Sequence, residues 1–340
     1  MELFKNLDKA SAKATNDGKP KKICMLASGG DAPGMNACME AIFNYATRFG
    51  WEVWVSISGY NGLLNGNVVR ATREKCTNIS HMAGCVYKCG RSKEFYTEEG
   101  TIKVGNTIKQ HGFDALIVLG GNGSLLGLER LVKLTGINAI GIPCTVDNDC
   151  HYTNNAIGYA SAVEAIVRYI DQIKPTMLTC DRHFMIEVMG KGCSNLATMV
   201  GVAGFANLID RSEQRLSVQQ IADTFNHQTK RGNTSCMAII EEYREDANNL
   251  VKAVQVASGP EVRFERAYYY QRGTNPAARD RFLAATYGVL AVDLIRANKF
   301  GVAIGRLNDK YITPTLREAN SAKSTFDPAV YSLIDKISNW

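Results

Sequence analysis

The feature that most restricts the fold of this chain is a repeated alternation of short apolar runs with longer amphipathic segments. Residues 21–28 read KKICMLAS, typical of a buried strand, and the loop GGDAPG separates this run from a helical pattern at 35–50 that Gly50 closes. The same order recurs at 114–134, where DALIVLGG precedes SLLGLERLVKL. Such alternation predicts parallel sheets with helices on both faces, because parallel strands need a crossover connection that is usually a helix.

Further segments continue the pattern along the chain. We predict strands at 51–59, 138–145, 184–190 and 235–243, and helices at 156–173, from Asn195, at 217–232 with Ser217 as N-cap, and at 281–301. A chain of 340 residues is too long for one ordinary core. We therefore predict an α/β protein with two three-layer α/β domains and mostly parallel sheets.

Composition narrows the classes of function. The net charge of +6 comes from scattered basic residues, which do not favour a nucleic-acid role and could equally serve anionic small substrates. No run approaches the roughly 18 to 20 apolar residues of a membrane span. Residues 1–20 lack the apolar core of a secretory signal and are expected to form a polar arm.

The 10 cysteines form no CxxC pair and the 5 histidines form no HExxH cluster. This composition predicts buried free thiols in a reducing cytoplasm rather than a zinc site.

Three predicted strand ends carry residues suited to phosphate chemistry: SGGDAPG at 28–34, GGNGS at 120–124 and TVDND at 145–149. Glycines allow backbone N–H groups and a helix N-terminus to approach an anion, and carboxylates can hold Mg²⁺ or act as a base. Each motif alone has a structural alternative. The glycines suit a tight corner between strand and helix, and Asp147 and Asp149 suit a loop that caps the next helix. Together the three corners predict phosphoryl transfer.

Five separated motifs also resemble one family. SGGDAPGMNA, GGNGS, TVDND, FMIEVMGK and YYQRGTNPAARDR occur in this order, and with them the chain resembles the 6-phosphofructokinase family, above all its short bacterial-type members, over roughly residues 21–320. The resemblance implies a cytoplasmic enzyme of glycolysis that transfers the γ-phosphoryl group of Mg-ATP to the 1-hydroxyl of fructose 6-phosphate. It also implies a homo-oligomer, expected to be a tetramer.

The resemblance further implies a division of labour along the chain. A nucleotide-binding domain would take 21–158 and 272–320. A sugar-phosphate domain would take 159–271 and 321–340, with a C-terminal helix near 326–338. The active site would lie in the cleft between the two domains.

Site residues follow from matching positions. Asp147 matches the general base for the sugar hydroxyl, and the resemblance places Thr145, Arg91 and Lys191 in the same catalytic set. The positions matching nucleotide contacts are Gly30, Tyr60, Arg91, Ser92, Asn122, Gly123, Ser124 and Gly127. The positions matching sugar-phosphate contacts are Thr145, Asp147, Asp149, Arg182, Met189, Gly190, Lys191, Glu242, Arg263, Tyr269 and Arg272.

Several of these matches carry a further implication or an alternative. Asp149 and Asn122 match positions near the metal. Arg182 and Arg263 would come from a neighbouring subunit, although any one such arginine could be a plain surface charge. Tyr60 could equally be an ordinary buried aromatic residue.

Three residues depart from the family pattern. Asn122 stands where an aspartate is usual, so the site loses a charge and Mg²⁺ binding should weaken. Lys191 replaces an arginine and loses its bidentate geometry. Tyr269 stands where short bacterial chains often have a histidine.

Two other regions bear on the effector and on the phosphate donor. Glu40, Asn44 and Asn233 stand where bacterial members bind ADP or phosphoenolpyruvate through cationic side chains, so we expect that regulation to be absent. Gly123 is the ATP-type residue where pyrophosphate-using relatives have an aspartate, whereas Cys144 matches neither group. ATP is therefore the favoured donor.

The alternatives that stay open are a non-catalytic regulatory or structural subunit paired with an active relative, a pyrophosphate-dependent enzyme, and a kinase for another sugar phosphate. Asn122 and Lys191 motivate the first of these. The intact TVDND motif argues against it.

Overall fold

The computed structural model describes residues 21–242 and 247–322 and the single positions 324, 330, 333 and 336. The predicted arm at 1–20 lies outside the described residues, as does most of the predicted C-terminal helix. Contacts within the chain divide it into two compact units. Unit 1 takes the described parts of Met1–Thr145, Cys150–Ser161 and Arg272–Lys323, and unit 2 takes those of Val146–Asp149, Ala162–Gln271 and Ser324–Trp340.

The strands are β1 (Lys22–Ala27), β2 (Glu52–Ser56), β3 (Val68–Arg70), β4 (Ala115–Gly120), β5 (Ala139–Pro143), β6 (His183–Val188), β7 (Leu208–Asp210), β8 (Met237–Glu241), β9 (Val262–Arg266), β10 (Val302–Ala303), β11 (Gly305–Leu307) and β12 (Lys310–Ile312). The α-helices are α1 (Met35–Thr47), α2 (Tyr60–Leu64), α3 (Arg73–Cys76), α4 (Glu98–Gln110), α5 (Asn122–Thr135), α6 (Tyr159–Thr179), α7 (Asn195–Ala203), α8 (Val218–Lys230), α9 (Ala247–Ser258), α10 (Ala278–Arg296) and α11 (Leu316–Ala319). Short 3₁₀ helices cover Glu94–Tyr96 and Tyr268–Gln271.

Unit 1 is built on a six-stranded sheet with the strand order β10-β5-β4-β1-β2-β3. All neighbouring pairs are parallel except β2 and β3. The central strand β1 pairs Met25 with Ile117 of β4, and five of its six residues are buried. On one face, Leu26, Leu128 and other buried residues of β1, β4, α4 and α5 form a common core.

Helices α1 and α10 pack closely against each other in unit 1. Gly288 of α10 permits this approach, because a Cβ there would lie 2.9 Å from the Cβ of Ala41. Side chains on α1 alternate between buried positions such as Met35 and Ile42 and exposed ones, as the predicted amphipathic helix requires.

Unit 2 contains a four-stranded, all-parallel sheet with the order β7-β8-β6-β9. Its core joins Met185 of β6 and Ile240 of β8 to Phe225 of α8 and Val254 of α9. The predicted N-cap of α8 is confirmed, since Ser217 accepts a hydrogen bond from the backbone N–H of Gln220 and forms a capping box with it.

The prediction of an α/β fold with mostly parallel sheets is confirmed. There are three local differences. Helix α5 begins at Asn122, two residues earlier than predicted, so the second glycine corner is partly helical. Helix α6 continues through Pro175 to Thr179, although a proline inside a helix removes one backbone hydrogen bond. The antiparallel edge strand β3 was not predicted, because its three residues, one partly buried and two exposed, carry little periodic signal.

Candidate active site

The three chemistry-bearing corners begin at one edge of the unit 1 sheet, directly after β1, β4 and β5. Strands β5, β4 and β1 are adjacent and parallel, so the segments after them start side by side. The backbone N–H of Ser28 donates to the carbonyl of Leu119 (2.9 Å), and that of Cys144 donates to the carbonyl of Gly120 (3.0 Å). The Ser124 hydroxyl donates to the Ser28 hydroxyl (3.0 Å). Strands β2 and β3 follow β1 on one side of the sheet, whereas β4, β5 and β10 lie on its other side, so the strand order reverses between β1 and β4. Open α/β sheets bind ligands at such a reversal.

Glycines in these corners are of two kinds. A Cβ on Gly120 would lie 2.5 Å from the Cβ of Ser124 and 2.8 Å from the carbonyl oxygen of Ser28, so this glycine lets the first two corners touch. A Cβ on Gly123 would meet nothing closer than the Tyr96 hydroxyl at 3.8 Å. The N-cap residue of α5 is Gly121, which has no side chain to cap the helix, and the partial positive charge of the helix dipole lies at this terminus.

A cavity of about 350 Å³ opens beside the start of α5. It is lined by Asn122, Gly123, Leu126, Asn320, Ser321 and Ala322. Asn320 is held by its amide nitrogen, which donates to the carbonyl of Leu125 (3.3 Å) and to the carboxylate of Glu129 (2.8 Å). The segment after α11 therefore contributes to this pocket, which sequence reasoning had not detected.

Arg272 contacts the first glycine corner directly. Its guanidinium forms an ion pair with the Asp31 carboxylate, and its Nε donates to the Asp31 carbonyl (3.3 Å). A Cβ on Gly30 would lie 2.8 Å from the same guanidinium. The absence of a side chain at Gly30 thus makes room for Arg272, a residue predicted to bind the sugar phosphate.

Tyr60 and Gly127 are explained by packing. Tyr60 is 1% exposed, stacks on Phe95 with ring centroids 3.6 Å apart, and donates from its hydroxyl to the carbonyl of Ser124 (3.1 Å). A Cβ on Gly127 would lie 2.7 Å from the Phe95 ring. The packing alternative for Tyr60 is therefore the better supported one. The hydrogen bond from Tyr60 and the close approach of Phe95 at Gly127 both fix the position of α5.

Arg91 and Ser92 lie in a segment that is tied to the first corner. The backbone N–H of Gly29 donates to the carbonyl of Gly90 (3.1 Å), while the side chain of Arg91 is exposed. Ser92 is buried, and its hydroxyl accepts from the backbone N–H of Phe95 (3.2 Å). Ser92 thus supports the 3₁₀ helix that begins at Glu94, and Arg91 is the member of this pair that solvent can reach.

The TVDND segment is held as a defined turn. Asn148 has a left-handed φ of 51°, which asparagine tolerates, and its carbonyl accepts from the side-chain amide of Asn195 (2.7 Å). Asp149 is 9% exposed, whereas Asp147 is less buried. The next helix, α6, begins only at Tyr159, so neither aspartate is its cap. Asn195 is a supporting residue that sequence reasoning did not identify.

Four residues of unit 2 that were predicted to contact the sugar phosphate lie directly after the carboxyl ends of β6 and β8. They are Met189, Gly190, Lys191 and Glu242. The backbone N–H groups of Gly190 and Lys191 bond the carboxylate of Glu242, and burial raises its pKa against their influence. Met189 donates its N–H to the side chain of Gln271 (3.3 Å).

Glu241, the neighbour of Glu242, is completely buried and holds this corner together. It accepts from the backbone N–H groups of Gly192 (2.9 Å) and Ser212 (2.7 Å). The sequence offered a signal for it only as an acid at the end of an apolar strand.

Arg182 and Arg263 lie at the opposite end of the same sheet. Both bind the carboxylate of Glu261, Arg182 at 2.5 Å and Arg263 at 2.5 Å. Arg182 precedes β6 and Met189 follows it, so six strand residues, about 20 Å at 3.3 Å each, separate them. Within one chain, these two arginines are therefore distant from Met189 and Glu242. Tyr269 is 74% exposed on the 3₁₀ helix after β9.

Two of the three residues expected at an altered effector pocket, Glu40 and Asn233, accept hydrogen bonds from nearby backbone N–H groups. The carboxylate of Glu40 accepts three backbone hydrogen bonds, from Asn78, Ile79 and Ser80. The side-chain oxygen of Asn233 accepts from the N–H of Ser235 (3.3 Å), and Asn44 is exposed.

Among the described residues no group of three or more His, Cys, Asp or Glu side chains could hold a metal ion. Asp149 and Asn122 each offer a hard oxygen, which suits Mg²⁺, an ion that keeps several waters and substrate phosphate oxygens as ligands.

In the part of the chain that the structure describes, every cysteine is a free thiol, and Cys24, Cys38, Cys144 and Cys236 are buried as predicted. No helix of the described residues is long and apolar enough to cross a bilayer.

The fold and its corners define an α/β protein with glycine-rich loops at a topological switch point. The sequence profile described as phosphofructokinase matches residues 22–295. A protein called ATP-dependent 6-phosphofructokinase from Clostridium novyi (strain NT) is 36% identical over 313 residues, 92% of this chain and 98% of the relative. One of the same description from Finegoldia magna is 37% identical over 318 residues, 94% and 99% of the two chains. The chain belongs to the phosphofructokinase family.

Solved structures agree on the fold. Phosphofructokinase from Saccharomyces cerevisiae superposes with a TM-score of 0.79 at 28% identity, covering 94% of this chain, and this chain spans 47% of the yeast chain. A pyrophosphate-dependent phosphofructokinase from Marinobacter aquaeolei superposes with a TM-score of 0.81 at 21% identity, covering 91% of this chain and 86% of the other. The second likeness concerns the fold alone.

Proposed function

We propose that this chain is an ATP-dependent 6-phosphofructokinase of glycolysis, which transfers the γ-phosphoryl group of Mg-ATP to the 1-hydroxyl of fructose 6-phosphate and yields fructose 1,6-bisphosphate. We propose the cytoplasm as its location. The observation that carries the proposal is the shared sheet edge of β5, β4 and β1, where glycine corners joined through Ser28 and Ser124 meet the strand that leads to TVDND. The family membership supports the same activity.

Unit 1 would bind the nucleotide. The N-terminus of α5, which has a glycine as its N-cap, would offer backbone N–H groups to phosphate oxygens, and the absence of a side chain at Gly123 would leave space for them. Arg91, exposed beside the first corner, would neutralise charge on the transferring phosphoryl group. Gly30 and Ser124 would line the phosphate path, and Thr145 would lie by the transferring group.

Asp147 would take the proton from the 1-hydroxyl, for which a partly exposed carboxylate in a fixed turn is suited. Lys191 would add a point charge near the phosphate, and Glu242 would accept a hydrogen bond from the sugar. Met189 and Gly190 would pack against the sugar, while Arg272 and Tyr269 would contact its 6-phosphate side.

Asp149 and the amide oxygen of Asn122 would hold Mg²⁺ together with phosphate oxygens and water. When bound, the ion neutralises charge on the phosphates. Because Asn122 contributes no charge, we expect weaker Mg²⁺ binding than with an aspartate there.

A homotetramer is the proposed assembly. The position of Arg182 and Arg263 supports it, because both lie at the end of the unit 2 sheet opposite to Met189 and Glu242. They would serve the 6-phosphate in a neighbouring subunit's site, with Glu261 holding their guanidinium groups ready. A related but different chain as the neighbour is the second form of this proposal.

The competing function is a non-catalytic subunit, and Asn122 is the observation that favours it. Phosphorus NMR separates the candidates: the purified protein is incubated with fructose 6-phosphate, Mg²⁺ and either ATP or pyrophosphate. We expect fructose 1,6-bisphosphate with ATP only. Product with pyrophosphate only would contradict the assignment of ATP as the donor. No product with either donor would support the non-catalytic subunit instead.

A further inference from the structure

The segment between α3 and the 3₁₀ helix Glu94–Tyr96 has no helix or strand of its own. It begins at Thr77 and leads through Gly90 to Arg91. Backbone N–H and C=O groups in such a segment need partners from elsewhere. Those partners determine where the segment runs, and therefore where Arg91 lies.

Glu40 of α1 supplies partners for the first half of the segment. Its carboxylate accepts from the backbone N–H groups of Asn78 (2.9 Å), Ile79 (3.0 Å) and Ser80 (2.8 Å). Three successive N–H groups that converge on one anion form a nest, an arrangement that binds anions generally. Here the anion belongs to the chain itself.

Asn36 supplies partners for the second half of the segment. It lies one helical turn before Glu40 and is completely buried. Its side-chain nitrogen donates to the carbonyls of Met82 (3.1 Å) and Ala83 (3.3 Å), and its oxygen accepts from the N–H of Val86 (2.9 Å). Polar side chains on one face of α1 therefore hold the segment at both halves.

The same helix is joined to the candidate phosphate site. Helix α1 starts at Met35, directly after the first glycine corner. The segment returns to that corner where the N–H of Gly29 donates to the carbonyl of Gly90 (3.1 Å). The corner, α1 and the Arg91 segment thus form one closed circuit of contacts within unit 1.

We propose that Glu40 is a positioning residue for Arg91, acting as a built-in anion in the nest of Asn78–Ser80. The expected effect of Glu40 on turnover rests on the proposed function, whereas the expected binding of an anion by the nest does not. A chain that supplies its own anion here keeps the segment in place without a dissociable ligand. Removing the carboxylate while leaving space should turn the nest into a site for a small free carboxylate.

The experiment compares Glu40→Ala, Glu40→Gln and the control Glu99→Ala, an exposed acid on α4. We measure kcat, the KM values for both substrates, and the effect of sodium acetate at constant ionic strength set with chloride. Glu40→Ala should lose about 10- to 100-fold in kcat, the scale of a displaced charged group, and acetate should restore turnover saturably. Glu40→Gln should also be slow, because an amide has one acceptor oxygen, and acetate should not help it, since the amide fills the space. Glu99→Ala should match the parent protein.

Two further readouts make the result independent of turnover and of one variant's folding. Calorimetry should detect acetate binding to Glu40→Ala and none to the parent protein. In the near-isosteric Glu40→Gln, amide exchange at Ile79 and Ser80 should be faster than in the parent. A parent protein without activity would remove the proposed function and leave these two tests standing. Full kcat in Glu40→Ala, absence of acetate binding to it, or unchanged amide exchange in Glu40→Gln would each overturn the inference.

Discussion

Single glycines near the start of α5 differ in what surrounds them, and this allows a residue-scale prediction about the phosphate donor. Space is open around a side chain at Gly123, whereas one at Gly127 is blocked by Phe95. Gly123→Asp should therefore fold normally and lose about 100-fold or more in kcat/KM for ATP, because a carboxylate would repel the phosphates. Steady-state kinetics and thermal unfolding measure the two effects.

Gly127→Ala is the matched control for this prediction. Its Cβ would lie 2.7 Å from the Phe95 ring, so we expect a loss of about 1–3 kcal/mol in the free energy of unfolding from overpacking. Full ATP activity in Gly123→Asp would show that the nucleotide phosphates do not pass this glycine.

Asp147 carries the second residue-scale prediction. Asp147→Ser should reduce kcat by about 10²- to 10⁴-fold, since the proposed base is removed while the turn at Asn148 keeps its bond to Asn195. Thermal unfolding should be unchanged. Asp171→Ser, which removes an exposed aspartate of α6 whose carboxylate lies 4.0 Å from the ammonium of Lys174, serves as the control. A kcat within a few-fold of the parent would exclude Asp147 as the base.

At the scale of elements, His183 links three of them and predicts a dependence of stability on pH. It begins β6, stacks on Phe225 of α8 at 4.5 Å, and its Nδ1 accepts from the N–H of Cys236 beside β8 (3.0 Å). Burial lowers the pKa of His183 from 6.5 to about 4. The unfolded chain therefore takes up a proton near pH 6.5 and the folded chain only near pH 4.

The contribution of His183 to stability should thus be complete above about pH 6.5 and decline as the pH falls towards 4. Urea unfolding at several pH values would measure this decline. His183→Asn, whose side-chain oxygen can still accept from Cys236, should show a shallower decline. The exposed His81→Gln is the control, and equal slopes in all three proteins would contradict the assignment.

At the scale of the whole molecule, the opposite placement of Arg182 and Met189 on β6 predicts sites shared between subunits. Asp147→Ser and Arg182→Ala should each be nearly inactive alone. Hybrids formed from equal amounts of the two variants should recover about a quarter of the parental activity, because that fraction of shared sites receives both intact residues. Hybrids that form but stay inactive would show that each chain completes its own site.

Much of the candidate site could be predicted from the sequence, because its motifs are local. Glycine corners and the two aspartates stand directly after apolar runs, so strand ends and ligand loops are visible together. The partners of Arg272 and Arg182 could not be predicted, since Asp31 and Glu261 are distant from them in the chain and no local pattern pairs residues so far apart. Asn195 and Glu241 were missed for the same reason. They act by hydrogen bonding to backbone groups, which several polar residue types can do.

The α/β class, the places where strands end, the N-cap of α8 and the family could all be predicted from local sequence, because periodicity and short motifs are properties of neighbouring residues. Packing of the folded chain, in contrast, brings β5, β4 and β1 side by side and places Arg182 and Met189 at opposite ends of one sheet. It also decided that Glu40 fills a nest of backbone N–H groups. Strand order and long-range hydrogen bonds depend on which segments pack together, and no local pattern encodes that choice.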